Sequence, residues 1–332
     1  MPDTARGLWF VGPRCIEIRD VDLPPLGDDQ VLVRTTFSGI SAGTEMLAFR
    51  GQLDAGMPVD ETIGALGGTF RYPFQYGYSC VGRVEQSNST LAAGDLVFAF
   101  HPHQDRFVID AAGLVPLAER DERTSTLFPM AETALQITLD AGHVFGETVV
   151  VFGLGVVGLL TVALLRRAGA EVIAVEPQEW RRDVAATLSV TTVHPGDVHD
   201  ALHTAGRSDG VALVIEASGN PAVLPDALSL LAHEGTALVA SWYGTRDVSL
   251  PLGGAFHRRR LTIRSTQVST IPAALSARWD RSRRQREVVT LLDSLPLDLL
   301  ATHTFAFDDA EKAYAAIDDG CDGMVQVALG YA

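Results

Sequence analysis

The stretch from Thr148 to Gly158 constrains this chain more than any other. Thr148-Val149-Val150-Val151-Phe152 is a β-branched run, Gly153-Leu154-Gly155-Val156-Val157-Gly158 follows it, and a Leu/Ala-rich helical pattern continues to about Ala168. Thr148 to Leu165 carries no charge and has the length of a membrane span. The interspersed glycines and the change in residue type fit a buried strand, a turn and a helix better. In such a turn the first glycine permits the tight bend. The second lets backbone approach a pyrophosphate, and the third allows close packing of helix on strand. Phosphate then meets the free N–H groups and the positive end of the helix dipole. A glycine turn that binds nothing is the competing explanation. The wider context argues against it: Glu171-Val172-Ile173-Ala174-Val175-Glu176 is a second strand ending in an acid 18 residues beyond Gly158. A carboxylate there accepts hydrogen bonds from ribose hydroxyls and repels a 2′-phosphate, so NAD is expected over NADP. Arg181 and Arg182 follow closely and oppose that preference.

Further apolar strands are predicted at Val211–Ile215, Thr236–Ala240 and Leu261–Ile263. Helical patterns fall at Gln178–Leu188, His199–Thr204 and Ala222–Leu231. Strands alternating with helices give an α/β, doubly wound parallel sheet. The first 120 residues differ. Short strands such as Glu17–Val21, Val31–Thr35, Cys80–Glu85 and Asp95–Phe100 are separated by Gly- and Pro-rich turns, including Pro24-Pro25-Leu26-Gly27-Asp28-Asp29. The tail is mixed, with helices at Trp279–Leu295 and Asp308–Ile317 and a closing strand at Met324–Ala328. At 332 residues, the chain suits two domains. The expected division is a β-rich domain over 1–124 and 268–332, interrupted by a dinucleotide-binding domain over 125–267.

Charge excludes some partners. The formal net charge is −15, which disfavours nucleic acid and anionic membranes, since both need a basic footprint. A small-molecule substrate is expected instead. Cys15, Cys80 and Cys321 are too few and too scattered for a disulfide framework or a clustered thiolate site, which points to a reducing cytoplasm. Met1 to Arg6 lacks the basic start and apolar run of a signal peptide.

Other patterns carry possible chemistry. Gly39-Ile40-Ser41-Ala42-Gly43 matches the G-x-S-x-G nucleophile elbow of hydrolases, but no α/β units precede it to build a hydrolase sheet. His101-Pro102-His103-Gln104-Asp105 reads either as an acid/base cluster or as a polar loop. In an extended segment His101 and His103 would point the same way. His199 and His203 share a helix face without the glutamate of H-E-x-x-H, and His257-Arg258-Arg259-Arg260 reads as a solvated basic edge.

A β-rich domain interrupted by a Rossmann domain resembles the medium-chain dehydrogenase/reductase superfamily, whose first domain is GroES-like. The resemblance rests on Ser38-Gly39-Ile40-Ser41-Ala42-Gly43-Thr44-Glu45, Gly77-Tyr78-Ser79-Cys80-Val81-Gly82-Arg83-Val84, Gly94-Asp95-Leu96-Val97 and the glycine loop. The first segment is locally similar to the bacteriochlorophyllide hydroxyethyl dehydrogenase branch. Zinc-dependent members carry cysteine where Ser41 stands and His-Glu where Tyr78-Ser79 stand, and their third ligand falls near Phe128 or Pro129 here. The four-cysteine lobe that holds their structural zinc is absent. Zinc needs three or four N, S or O ligands, so the resemblance implies an enzyme without metal.

For cofactor binding it implies Gly153, Gly155, Val156, Val157, Gly158, Glu176 and Arg181. It adds Thr133 (or Glu132) before the Rossmann strand, Ser218 after the fourth strand, Ser241 and Trp242 after the fifth, and Thr266 after the last. The substrate is expected in the cleft between domains, lined by Thr44, Met46, Tyr78, His101 and Trp242. The expected activity is NAD-dependent, zinc-independent interconversion of a secondary alcohol and a ketone. Proton transfer would fall to Tyr78, or to His101 or His103 with Thr44 relaying. An NADPH-dependent alkene or quinone reductase and a non-catalytic dinucleotide-binding protein are the alternatives. Family members pair through the last Rossmann strand, so Leu261-Thr262-Ile263-Arg264 implies a homodimer.

Overall fold

A computed structural model describes residues 4–332; the first residues of the N-terminal segment read above, Met1–Asp3, lie outside them. Contacts divide the chain into two units. One holds the described residues up to Pro129 together with Pro296–Ala332, and the other is Met130–Leu295.

In the first unit, β1 (Thr4–Gly12) and β2 (Cys15–Asp22) form a hairpin. β3 (Gln30–Ile40) leads into a short helix, Thr44–Phe49. β4 (Phe74–Gln75), β5 (Cys80–Ser87), β6 (Leu96–Ala99), β7 (Arg106–Asp110) and β8 (Leu114–Pro116) follow. The second unit supplies β9 (Thr148–Phe152), β10 (Glu171–Val175), β11 (Thr191–Val193), β12 (Val211–Glu216), β13 (Leu231–Val239) and β14 (Thr262–Ser265). The chain then returns to the first unit with β15 (His303–Ala306) and β16 (Val327–Gly330).

The second unit is one parallel sheet in the order β11-β10-β9-β12-β13-β14. β9 is central, and all five of its residues are buried, which is why its sequence is unbroken β-branched and aromatic. Strand order reverses between β9 and β12. Loops leaving the carboxyl ends of those strands therefore splay apart and leave a crevice. β11 carried no apolar signal because it is a short, half-exposed edge strand, Thr191-Thr192-Val193. The uncharged Thr148–Leu165 stretch is strand, turn and helix, the helix running over Val156–Arg167. No helix among the described residues is long and apolar enough to cross a membrane.

The first unit is built mainly from antiparallel strands, in the orders β2-β1-β4 and β15-β16-β3-β5-β6-β8, with β7 also on β3. One core is aromatic: Phe10 stacks on Phe74 and meets Tyr314 and Tyr76 edge-on. A second, mostly aliphatic core of Val31, Val33, Val84 and Val97, joined by Phe107, fills the other sheet. Together the parallel Rossmann sheet and the separate antiparallel sheets give the α/β architecture expected from the sequence.

The segment 268–295, which the sequence division assigned to the β-rich domain, packs within the second unit. Arg284, 1% exposed, donates to Glu132 Oε1 (3.1 Å), Gln136 Oε1 (2.5 Å) and the carbonyl of Val268 (2.5 Å). A buried guanidinium is tolerated only with such partners, and they lie on the Phe128–Ala141 helix and the loop after β14.

Candidate active site

The glycine loop leaves β9 at the carboxyl edge of the parallel sheet. Gly153 has φ +90° and packs so closely on the strand turn after β12 that a Cβ there would fall 2.5 Å from Ser218 Cα. At Gly158 a Cβ would lie 1.9 Å from the carbonyl oxygen of Gly153, so any side chain would push helix off strand. Gly155 differs: a Cβ would meet nothing within 4 Å. Its backbone borders open space at the start of the Val156–Arg167 helix, where Val156 and Val157 lie in the first turn. That open cradle is what an approaching pyrophosphate requires.

Glu176 is 4% exposed and faces this loop. Its Oε2 accepts from the Leu154 amide (2.9 Å) and its Oε1 from the Gln178 amide (3.1 Å). The carboxylate thus fixes the loop and still has lone pairs for ribose hydroxyls. Arg182 turns back, donating to the carbonyls of Glu176 and Pro177 (2.7 Å each), while Arg181 stacks over Trp180 with 5.0 Å to the ring centroid.

A buried glutamate that the sequence reading did not single out organises the neighbouring turn. Glu216 ends β12; it accepts from the Ser218 amide (2.7 Å) and hydroxyl and from the Tyr243 hydroxyl. Burial, then this carboxylate, pushes the Tyr243 phenol up. Ser241 Oγ accepts from the Gly219 amide (2.8 Å). Trp242 is 38% exposed. Thr133 lies on the Phe128–Ala141 helix beside Glu132, whose carboxyl burial pushes up against the opposing pull of Arg284. Thr266 donates to Asp140 Oδ2 (2.6 Å).

In the first unit the Ser-Gly-Ile-Ser segment ends β3 and turns at Ser41–Gly43 into the Thr44–Phe49 helix. Tyr78 precedes β5. The structure brings the hydroxyls of Ser41, Thr44 and Tyr78 together by hydrogen bonding. Burial pushes the Tyr78 phenol up to about 12; the Ser41 and Thr44 hydroxyls pull the other way, and the Glu45 charge adds to the rise. Tyr78 is therefore protonated at neutral pH. A hydroxyl both donates and accepts, so Tyr78 keeps an O–H able to donate to a further acceptor.

The histidines do not join this cluster. His101 stacks on Phe107 (3.9 Å between centroids), its Nδ1 donates to the Pro102 carbonyl (3.0 Å), and burial pushes it down to about 4. His103 is fully buried, with Nδ1 2.6 Å from Ser38 Oγ and Nε2 2.9 Å from Glu45 Oε2. The two rings thus have different neighbours, because the segment bends at His103 instead of running extended. Met46, expected to line the substrate site, is fully buried in the aromatic core. His199 and His203 are exposed, as are His257–Arg260.

Glu45 closes the Ser38–Glu45 motif, from which the resemblance implies no role for it. It is fully buried, and its signal was available: a carboxylate opening the apolar helix Thr44-Glu45-Met46-Leu47-Ala48-Phe49. Among the described residues no group of three His, Cys, Asp or Glu stands together to hold a metal.

Residues 156–282 match the family model for zinc-binding dehydrogenase. The chain is 27% identical to D-guloside 3-dehydrogenase of Escherichia coli K12, over 86% of this chain and 87% of that protein. It is 28% identical to 2-desacetyl-2-hydroxyethyl bacteriochlorophyllide A dehydrogenase of Cereibacter sphaeroides, over 95% of each. A short chain alcohol dehydrogenase from E. coli CFT073, solved with NADH, superposes with a TM-score of 0.79 at 15% identity, covering 98% of this chain and 99% of that one. These likenesses support a medium-chain dehydrogenase/reductase protein of the alcohol dehydrogenase-like kind. The chain is an alcohol dehydrogenase-like oxidoreductase. The match to a zinc-binding family model raises the question of zinc, and in this chain the donor set does not suit it. Ser41 and Tyr78 stand at the ligand positions, and a protonated phenol and a serine hydroxyl are poor partners for zinc beside thiolate or imidazole. For a nicotinamide dinucleotide the residues fit, since the Glu176 carboxylate at the end of β10 holds the glycine loop through the Leu154 amide, and the Gly155 cradle in that loop is open.

Proposed function

We propose that the protein is an NAD-dependent, zinc-independent dehydrogenase that interconverts a secondary alcohol and a ketone. The observation that carries this reading is the convergence of the Ser41, Thr44 and Tyr78 hydroxyls where zinc-dependent relatives hold metal. The bound nicotinamide supplies or takes up the hydride. The chain's own residues do the rest. Gly155, Val156 and Val157 hold the pyrophosphate through backbone N–H groups, and Glu176 takes the ribose hydroxyls. The Tyr78 O–H donates to the substrate oxygen. In reduction it delivers the proton to that oxygen, and Thr44 or Ser41 relays to Tyr78 a replacement proton taken up from solvent water. Thr133, Ser218, Ser241, Trp242 and Thr266 complete the cofactor side in this reading.

NAD is favoured over NADP because Glu176 would meet a 2′-phosphate with like charge, while Arg182 is spent on backbone carbonyls. A cytoplasmic setting fits the free thiols Cys15, Cys80 and Cys321. A homodimer pairing through β14, an edge of the six-stranded sheet, belongs to the same reading.

The test combines isotope transfer with elemental analysis. Incubating the purified protein with ketones and NADH deuterated at C4 should give carbinol-labelled alcohol, and the protein should contain well under one zinc per chain. Label absent from every alcohol formed, or about one zinc per chain with activity lost to a chelator, would contradict the proposal.

A further inference from the structure

Beneath the hydroxyl cluster lies a buried polar hub that the proposed reaction does not use. Glu45, His103, Tyr314 and Ser38 are all fully buried. Glu45 Oε1 accepts from the Ser41 amide (2.8 Å), while Oε2 accepts from the Tyr314 hydroxyl and from His103 Nε2 (2.9 Å). The other ring nitrogen of His103 meets Ser38 Oγ at 2.6 Å, and that oxygen meets the Tyr331 hydroxyl at 2.9 Å. A carboxylate this deep is costly to bury unless donors surround it, and this one has three. The structure assigns Glu45 as a positioning residue: with His103 it fixes both arms of the Ser41–Thr44–Tyr78 cluster. This assignment rests on the dehydrogenase reading of that cluster.

Each arm is held differently. Ser41 is held by a reciprocal pair, its amide donating to Glu45 Oε1 (2.8 Å) and its carbonyl accepting from the Glu45 amide (3.0 Å). The following helix has no side-chain cap at Gly43, so this closed ring is what sets the turn. Tyr78 is held through the residue before it. Gly77 has φ +114°, and a Cβ there would fall 2.5 Å from His103 Cδ2, so the imidazole lies flush against the backbone that aims Tyr78. Ser38 and Tyr331 anchor the far side of His103. Ser38 pairs with Leu329 across β3 and β16, and the Tyr331 amide donates to the Thr36 carbonyl (3.0 Å).

The hub does not carry the reaction's proton. Its connection to Ser41 runs through an amide N–H, which donates a hydrogen bond and passes no proton on, and the hydrogen bonds of Tyr78 run to Ser41 and Thr44. His103 therefore acts on Tyr78 by placement.

Tyr314→Phe tests this, since it keeps the ring and removes one donor to Glu45. Hydrogen exchange of the peptide spanning 39–47 should quicken about 10-fold or more, with exchange of the glycine loop unchanged. kcat should fall about 10-fold or more while the KM for NAD stays within about 2-fold. Ser38→Ala, a smaller change at the other end of the hub, should move the same readouts in the same direction and guards against misfolding of the first variant. Exchange unaltered in both variants overturns the assignment, as does quickened exchange with kcat unmoved. A wild-type protein that transfers no hydride, with exchange responding as expected, sinks the dehydrogenase reading and leaves the fixing of the cluster standing.

Discussion

Two strand-to-helix turns in this molecule look alike in sequence and work by opposite means. The loop after β9, Gly153 to Gly158, uses backbone: one glycine packs on Ser218, another on the Gly153 carbonyl, and the middle one borders open space. The turn after β3, Ser41 to Glu45, uses side chains. Gly43 there sits at φ −79°, ψ −67° with no atom near its missing Cβ. Nothing packs against its glycine, whereas its serine and glutamate close a reciprocal hydrogen-bonded ring. Where backbone must approach a ligand, glycine is imposed by sterics and the motif is local. Where side chains do the chemistry, the partners come from anywhere in the chain.

The comparison breaks first at Gly158. Gly158→Ala forces a methyl into the Gly153 carbonyl, 1.9 Å away. It should cost about 3 kcal/mol or more and lower the melting temperature by roughly 6–12 °C, with NADH binding lost. Gly155→Ala meets nothing, so the fold should be unchanged while a titration shows NADH affinity reduced about 10-fold or more. Unaltered NADH binding in Gly155→Ala would remove the phosphate cradle from the account.

On the side-chain turn, the largest effect is expected at Tyr78. Tyr78→Phe keeps the ring and deletes the hydroxyl shared with Ser41 and Thr44. Turnover should fall about 10²-fold, with NAD affinity and melting temperature little changed. Turnover within a few-fold of the parent would reduce Tyr78 to filler of the vacated ligand position. Single-turnover kinetics would show whether chemistry or product release masks the loss.

The same contrast explains what could be read without a structure. β9, β10 and β12 announce themselves as buried β-branched runs, and the glycine loop carries its function in six consecutive residues, Gly153 to Gly158. The hydroxyl cluster was half legible: Thr44 and Tyr78 stood out from their motif positions, while the two histidines looked equivalent and are not. Nothing local distinguishes His101 against Phe107 from His103 against Glu45. Tyr314 and Tyr331 reach the hub from more than 200 residues away in sequence. Such long-range pairings leave no periodicity in a single chain. The packing of 268–295 on the second unit was hidden for the same reason, since the buried bonds of Arg284 to Glu132 and Gln136 span 152 and 148 residues.

Glu176 lies between the two modes, a side chain serving a backbone loop. Because it holds the Leu154 amide and is proposed to take the ribose hydroxyls, truncation to alanine would confound loop order with cofactor choice. Glu176→Gln keeps an acceptor for Leu154 and removes the charge. Dissociation constants for NADH and NADPH should then draw together by about 10-fold, mainly through tighter NADPH binding. A preference unmoved in Glu176→Gln would mean that Glu176 orders the loop and does not select the cofactor.

The smallest effect is expected at Gly43, and it sharpens the comparison most cheaply. The residue already has right-handed helical backbone angles, and a methyl group would enter open space. Alanine at such a site loses less conformational freedom on folding than glycine, which stabilises by about 0.4–1 kcal/mol. Glycine is a somewhat better cap than alanine at the position before a helix, which offsets a few tenths of that gain. Gly43→Ala should therefore leave thermal stability within about 1 kcal/mol of the parent and kcat within about 2-fold, while the same change at Gly158 unfolds or disarms the second unit. A large loss of kcat in Gly43→Ala with unchanged melting would show that substrate approaches the backbone of this turn as a pyrophosphate approaches Gly155. The two turns would then work by the same means after all.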